Sequence, residues 1–117
     1  MKTQTEVEQS ESLLQELRRG ILPLAVLSTL SENKYGYALI NELEECGIKI
    51  DQGTLYPMLR RLEDQGLLQS SWILEGSRPR RYYQISENGK QVLSTLVKDW
   101  RELNQVIEKI LAEKPGN

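Results

Sequence analysis

The chain has 117 residues, of which 38% are hydrophobic, and its 17 acidic and 15 basic side chains give a formal net charge of −2. That length suits one compact domain with a helical extension and excludes a second full domain. Because no apolar run reaches the roughly 18 residues of a membrane span and the polar N-terminus lacks the hydrophobic segment of a signal peptide, we expect a cytoplasmic protein with no membrane partner.

The composition also argues against catalysis and metal binding. The chain has no histidine and a single cysteine, Cys46, so it lacks an ordinary zinc cluster, a histidine base and an internal disulfide. Neighbouring carboxylates such as Glu44 and Glu45 are typical of a solvated helix face. We therefore expect no enzyme, no metal site and no cofactor. The acidic total charge counts mildly against nucleic-acid binding, so a DNA surface would depend on where the basic residues lie.

The N-terminal third is predicted to be largely helical. Residues 1–12 are polar with few apolar side chains, which predicts a flexible arm. From Leu13 onward, leucine and isoleucine recur at three- and four-residue spacing, with interruptions at Gly20 and Pro23. This pattern predicts either one kinked helix or two abutting helices. The half after Pro23 is apolar on nearly every face and should form the central core helix.

A second helix follows a polar turn at residues 31–34. Residues 35–46 place leucine and isoleucine on one face and acids on the other, and Gly47 ends the helix. Residues 48–50 then form a short extended link. Two short helices joined in this way, ahead of a helix with a polar face, match the helix-turn-helix plan.

The third helix, residues 51–66, is the one predicted to read DNA. Asp51 can cap its first N–H groups, Gly66 can close its last turn, and Pro57 should only loosen its entry. Its exposed side chains can donate to phosphates or base edges. From this helix alone, it is equally possible that the polar face is only exposed to solvent and binds nothing. The side chains in question are Gln52, Thr54, Tyr56, Arg60 and Arg61.

A β-hairpin is predicted next, with strands at residues 67–74 and 80–85 and a turn at residues 75–79. Its tip is crowded with basic side chains. Such a cluster can serve solubility alone, but beside a polar-faced helix it fits a wing that straddles a phosphate backbone. The basic residues are Arg78, Arg80 and Arg81.

The fold class is therefore mainly α with a small β-hairpin. We predict a winged helix-turn-helix domain in residues 13–85, a long C-terminal dimerisation helix in residues 86–112 and a tail in residues 113–117. The long helix carries an apolar seam at heptad spacing that a domain this small cannot cover. It either folds back on its own core or, as we favour, packs against a second copy of the chain. The predicted dimer residues are Leu93, Leu96, Trp100, Leu103, Ile107 and Ile110, together with Leu13, Leu17 and Ile21.

An ordered series of motifs resembles the PadR-type transcriptional regulators. The series comprises Tyr35-Gly-Tyr, then Gly53-Thr-Leu-Tyr-Pro-Met-Leu-Arg-Arg-Leu-Glu-Asp-Gln-Gly-Leu, then Gly76 to Arg81 followed by Tyr82-Tyr and Ile85-Ser-Glu-Asn-Gly. The resemblance runs from about Leu13 to Leu111, and the single C-terminal helix is similar to the small subfamily. It implies a winged-helix homodimer that usually represses genes by binding a two-fold, double-stranded DNA operator.

The same resemblance implies an effector site. Multidrug-sensing members of this branch bind a flat aromatic compound at the dimer centre between paired tryptophans, and Trp100 falls at the matching place. Where such members can place an acid one turn later, this chain has Asn104, which does not favour cationic drugs. A small aromatic ligand is therefore a candidate partner. The candidate effector residues are Ile21, Leu24, Trp100 and Asn104.

The predicted DNA surface requires the basic residues to be segregated from the acidic ones. Glu42, Glu44, Glu45 and Glu75 should lie away from that surface. The alternative function is a winged-helix protein-interaction adaptor without DNA binding, which suits the acidic total charge. The predicted DNA-binding residues are Lys34, Tyr35, Gln52, Thr54, Tyr56, Arg60, Arg61, Arg78, Arg80 and Arg81.

Overall fold

The computed structural model describes residues 1–113, which form four helices and three strands. Its mainly helical architecture, with a small antiparallel sheet and a long C-terminal helix, confirms the predicted winged helix-turn-helix fold class. Of the predicted tail, residues 114–117 lie outside the described residues. The elements are α1 (Gln4–Thr29), β1 (Lys34–Tyr35), α2 (Gly36–Glu45), α3 (Gln52–Asp64), β2 (Leu68–Glu75), β3 (Arg78–Ile85) and α4 (Glu87–Ala112).

Helix α1 begins much earlier than its apolar pattern predicts. The helix starts at Gln4, so the prediction of a flexible arm over residues 1–12 was wrong. The Thr3 side chain accepts a hydrogen bond from the Glu6 amide at 3.1 Å, which caps the first turn. Glutamate and glutamine are good helix formers even without an apolar face. Of the two predicted arrangements, the structure has the single helix, because α1 runs through Pro23 without interruption.

Helix α3 has the predicted ends. The Asp51 carboxylate accepts a hydrogen bond from the Thr54 amide at 2.8 Å, which caps the N-terminus. At the other end Gly66 adopts a positive φ of 79°, and the Leu67 amide donates to the Leu62 carbonyl at 2.9 Å. This is the pattern of a helix closed by a left-handed glycine. The helix also continues through Pro57.

The sheet contains one strand more than the predicted hairpin. Its strand order is β1-β3-β2, and both pairings are antiparallel. Strand β1 has only two residues, Lys34 and Tyr35, which pair with Tyr83 and Tyr82. A strand this short shows no alternation of side chains, so its sequence could not reveal it. The turn between β2 and β3 is shorter than predicted, since Glu75 already pairs with Arg78.

The hydrophobic core lies where the second half of α1 meets α2, α3 and the sheet. Its fully buried side chains are contributed by all three helices. Two polar contacts tie the end of β3 and the N-cap of α4 to this core: the Ile85 amide donates to the Leu30 carbonyl at 2.8 Å, and the Ser86 hydroxyl donates to the Gly66 carbonyl at 2.6 Å. The fully buried residues are Val26, Leu27, Leu30, Leu39, Leu43, Leu55 and Leu59.

The two long helices extend beyond the winged domain. The longest dimension is 59 Å, and the radius of gyration is 17.5 Å, whereas a compact domain of this length would have about 13 Å. Leu93 packs against the core, but apolar residues farther along α4 remain open, including Leu103 at 65% exposure. Most of the seam therefore does not fold back on its own domain. Within residues 1–113, no helix is both long and apolar enough to cross a membrane.

Candidate nucleic-acid interface

Helix α3 turns one face inward and presents its basic residues on the others. Successive side chains are about 100° apart, so the buried residues fix the direction of the rest. Arg60 then points directly outward, Tyr56 lies on the flank towards the sheet, and Thr54 and Arg61 lie on the opposite flank. All of these except the half-buried Tyr56 are exposed. The buried residues are Leu55, Met58, Leu59 and Leu62.

A groove of about 640 Å³ separates the outer face of α3 from the strands of the hairpin. We call it the wing groove. It gathers tyrosine, tryptophan and arginine side chains from β1, α2, α3, β2 and β3, so hydrogen-bond donors and positive charges converge on one concave surface. Its lining residues are Tyr35, Gly36, Tyr37, Tyr56, Arg60, Trp72, Arg78, Arg80, Arg81 and Tyr83.

The arginines of the wing groove differ in whether an ion pair neutralises their charge. Arg81 forms an ion pair with Glu63 at 2.9 Å, and its Nε donates to the Ser70 hydroxyl at 3.0 Å. Arg80 forms an ion pair with Glu75 at 3.4 Å. Within residues 1–113, Arg60 and Arg78 form no ion pair. These last two arginines are therefore the ones available to an anionic partner.

Aromatic rings hold the paired arginines in place. The guanidinium of Arg80 lies 4.3 Å from the ring centroid of Tyr35, and that of Arg81 lies 5.5 Å from the ring centroid of Tyr83. Such cation–π contacts restrict the side chains while leaving the guanidinium edges able to donate. Strand β1 matters here because its pairing with β3 brings Tyr35 beside Arg80.

Two tyrosine hydroxyls near the groove keep their protons. The Tyr82 hydroxyl donates to the Glu75 carboxylate, and this hydrogen bond raises the pKa of Tyr82 above its ordinary value. Burial raises the pKa of Tyr83 in the same direction. Both side chains are therefore neutral at neutral pH and add no negative charge next to the arginines.

Lys34, which was predicted to bind DNA, does not line the wing groove. Its ammonium donates to the Thr29 carbonyl at 2.8 Å and forms an ion pair with Glu42 at 3.3 Å. Its charge therefore serves the fold. The predicted separation of acids from the basic surface was also wrong at two positions, because Glu42 pairs with Lys34 and Glu75 pairs with Arg80. Contacts between two strands, or between a strand and a helix, depend on register and packing, which a count of charges does not contain.

Comparison with known proteins decides the family. The model of the family described as "Transcriptional regulator PadR-like family" matches residues 26–95 of this chain. A PadR family transcriptional regulator from Eggerthella lenta has a TM-score of 0.90 and 43% identity, with 98% of this chain and 100% of that chain covered. This chain belongs to the PadR-like family. It is therefore a DNA-binding transcriptional regulator and not an enzyme.

Further PadR-like relatives agree with this assignment. A PadR-like transcription factor from Bacteroides fragilis has a TM-score of 0.72 and 32% identity, covering 85% of this chain and 98% of that chain. A transcriptional regulator of Mycobacterium tuberculosis is 33% identical over 99 residues, covering 84% of this chain and 90% of the relative. The family description ends at residue 95, but the Eggerthella lenta structure matches almost the whole chain, including both long helices.

The remaining predicted DNA residues of this PadR-like chain lie outside the wing groove. Thr54 lines a cleft on the opposite flank of α3, next to Arg18, Arg19 and Lys49. Gln52 is exposed in the first turn of α3, and Arg61 is exposed in its last turn.

Sequence reasoning missed Trp72, which is 67% exposed and lines the wing groove opposite its cross-strand partner Arg81. The alternation of side chains along β2 is the signal that could have found it.

The predicted dimer and effector residues lie along α1 and α4. Leu13 and Leu17 are exposed, whereas Ile21, Leu24 and Leu96 are half-buried. Trp100 is 41% exposed, and Asn104 is exposed one turn later. A cavity of about 690 Å³ beside α4 is lined by Leu27, Leu93, Val97 and Arg101 among others, and none of the four candidate effector residues contributes to its wall.

Proposed function

We propose that this PadR-like chain acts as a homodimeric repressor that binds a two-fold operator through α3 and the wing groove. The observation that carries this proposal is the convergence of Arg60 and Arg78, both without an ion pair in residues 1–113, on a groove beside the outward face of α3. Free guanidinium groups suit phosphate oxygens and the O6 and N7 atoms of guanine.

In this proposal α3 enters the major groove, which is about 12 Å wide and admits a helix. Arg60, at the centre of the exposed face, then contacts base edges. Arg78, at the tip of the hairpin, contacts the phosphate backbone. The aromatic side chains of the wing groove, including the exposed Trp72, pack against the sugar-phosphate backbone.

The homodimer is supported by apolar side chains that one copy leaves exposed. Leu13 and Leu17 of α1 and Leu103 and Ile107 of α4 are each more than half exposed, at 65%, 64%, 65% and 53%. Burying a large apolar side chain contributes about 1.5–3 kcal/mol before ordering costs. A two-fold interface along these helices would place two copies of α3 for an operator with the same symmetry.

An aromatic effector is a further part of the proposal and rests on Trp100. Its indole is 41% exposed in the middle of the α4 seam, where a two-fold partner would bring a second indole close by. Two indoles can pack on each other or enclose a flat aromatic guest. Such a guest releases DNA only if it favours a dimer with a different spacing of the two α3 helices.

The test of DNA binding is a salt titration with the full-length chain. Fluorescence anisotropy of a labelled duplex should report binding that weakens steeply as salt is raised, because each phosphate contact releases counterions. The adaptor alternative predicts no duplex binding, or binding that does not respond to salt.

Repression is tested by transcription in vitro from a promoter that overlaps the bound sequence, where added protein should lower transcript yield. An unchanged or raised yield would contradict repression.

A further inference from the structure

We propose that a second phosphate-binding surface lies on the flank of α3 that faces away from the wing. It consists of Arg18 and Arg19 of α1 and Lys49 of the link between α2 and α3, and we call it the α1 surface. This inference rests on the proposed DNA binding and extends it. It assigns to helix α1, which the sequence indicates only as a core and dimer element, a direct contact with the DNA backbone.

The three cations converge on one cleft. A cleft of about 330 Å³ is lined by Gln15, Arg18, Arg19, Lys49 and Thr54 among others. Thr54 belongs to the first turn of α3, so the cleft opens directly beside the start of the helix that is proposed to read DNA. Hydroxyl and amide side chains next to cations are the usual contacts to phosphate oxygens.

The cations of the α1 surface have no acidic side chain within ion-pair distance in the described part of the chain. Among residues 1–113, Arg18, Arg19 and Lys49 form no ion pair, and all three are exposed. The one acid of the cleft is Asp51, whose Oδ1 accepts a hydrogen bond from the Thr54 amide at 2.8 Å. Arg80 and Arg81 of the wing, in contrast, are both paired with glutamates.

The three cations repel one another, and the N-terminus of α3 adds a partial positive charge from its helix dipole. Within residues 1–113, no ion pair of these side chains offsets that repulsion. An anion in the cleft would reverse this balance, because the three cations and the helix dipole would attract it.

Dimerisation would leave the α1 surface open. With about 100° between successive residues, Gln15, Arg18 and Arg19 lie about 120° or more around α1 from the centre of the apolar row formed by Leu13 and Leu17. A partner that covers the apolar row therefore does not cover the cations.

The α1 surface is positioned to contact the DNA strand on the side of α3 away from the wing. When a helix lies in that groove, phosphates of the two DNA strands run along its two sides. The wing groove would engage one strand, with Arg78 on its backbone, and the α1 surface would engage the other. Tyr56, on one flank of α3, lines the wing groove, and Thr54, on the other flank, lines the cleft of the α1 surface.

The test uses two full-length variants with the same change in net charge. The first combines Arg18→Gln, Arg19→Gln and Lys49→Gln. The matched control combines Lys98→Gln, Arg101→Gln and Lys109→Gln, which removes three exposed cations from α4. Glutamine keeps helix propensity nearly unchanged. Affinity and its salt dependence are measured by anisotropy on the duplex sequence that wild-type protein enriches from a random-sequence duplex pool.

We expect the α1-surface variant to bind at least tenfold more weakly at 0.15 M salt, with a salt slope shallower by about 0.9 for each lost phosphate contact. Ethylation of the phosphates along one strand should interfere with binding by wild type but no longer with binding by this variant. The control should keep the wild-type slope. If wild type binds the duplex and the α1-surface variant behaves like the control, this inference is overturned and the proposed function stands. If wild type binds no duplex, both are overturned.

Discussion

The side chain of Tyr56 packs directly against the backbone of Gly36. A Cβ atom at Gly36 would lie 2.5 Å from Cε1 of the Tyr56 ring and 2.6 Å from its hydroxyl oxygen, closer than non-bonded atoms approach. Gly36 is the first residue of α2, and both residues line the wing groove. The absence of a side chain at the start of α2 thus leaves room for the Tyr56 ring, and it explains why glycine stands between Tyr35 and Tyr37.

We predict that Gly36→Ala displaces the Tyr56 ring and weakens duplex binding by about tenfold, a cost of about 1.4 kcal/mol. Helix propensity acts in the other direction, because alanine is the better helix former. The control is the same substitution in a Tyr56→Ala background, measured as a double-mutant cycle. Gly36→Ala should have little further effect there. Additive losses in the double variant would show that Gly36 does not act through Tyr56.

Glu75 neutralises part of the positive charge of the wing. Its carboxylate pairs with Arg80 and accepts the Tyr82 hydroxyl. We predict that Glu75→Gln tightens duplex binding several-fold and steepens the salt slope by up to about 0.9, since Arg80 becomes free to contact a phosphate. Glu44→Gln, on the exposed face of α2, is the matched control and should leave the slope unchanged. Equal effects of the two variants would point to net charge rather than to Arg80.

The same substitution should change the titration of Tyr82. The hydrogen bond to Glu75 is the largest cause of the raised pKa, so Glu75→Gln should lower the Tyr82 pKa towards its ordinary value of about 10. With the raised pKa, the hydrogen bond is present below pH 10 and is lost as pH rises through the folded-state value. Ultraviolet difference titration against Tyr82→Phe measures this. An identical Tyr82 titration in wild type and Glu75→Gln would contradict the contact.

The α4 seam is tested by charge substitution. We predict that Leu103→Glu combined with Ile107→Glu converts the dimer to a monomer at micromolar concentration, because each carboxylate would be buried against apolar groups. Gln105→Glu on the opposite side of α4 is the control and should remain dimeric. Sedimentation velocity distinguishes these outcomes. A wild-type chain that sediments as a monomer would contradict the dimer itself.

The effector site is tested by titrating flat aromatic compounds while tryptophan emission is followed. We expect quenching in wild type and its loss in Trp100→Ala, where Trp72 remains as the control reporter. Constant emission across a chemically broad panel would leave Trp100 as a packing residue. Quenching that persists undiminished in Trp100→Ala would place the ligand elsewhere.

Local patterns predicted the elements whose ends and faces are encoded within a few residues. Asp51 and Gly66 lie at the two ends of α3 as expected, because capping depends on neighbours three or four positions away. The open α4 seam followed from heptad spacing in the same way. The helix over residues 4–12 was missed because its stability comes from capping and propensity rather than from an apolar face.

The parts that could not be predicted depend on contacts between distant segments. The pairing of Tyr35 with Tyr82 and the ion pair of Arg81 with Glu63 depend on sheet register and on packing of β3 near α3. The cleft that is lined by both Arg18 and Thr54 requires α1 to lie near the start of α3. A count of acidic and basic residues could not show which arginines of the predicted interface are free of ion pairs, because that depends on the packed structure.

The central claim is that two copies of this chain bind one two-fold operator through their α3 helices and wing grooves. Its most direct test is selection of bound sequences by the full-length protein from a random duplex pool, followed by sequencing. We predict enrichment of an inverted repeat, with Arg60→Ala relaxing the preference at matching positions of both half-sites. Failure to enrich any sequence, or enrichment of a single asymmetric half-site by wild type, would contradict the claim.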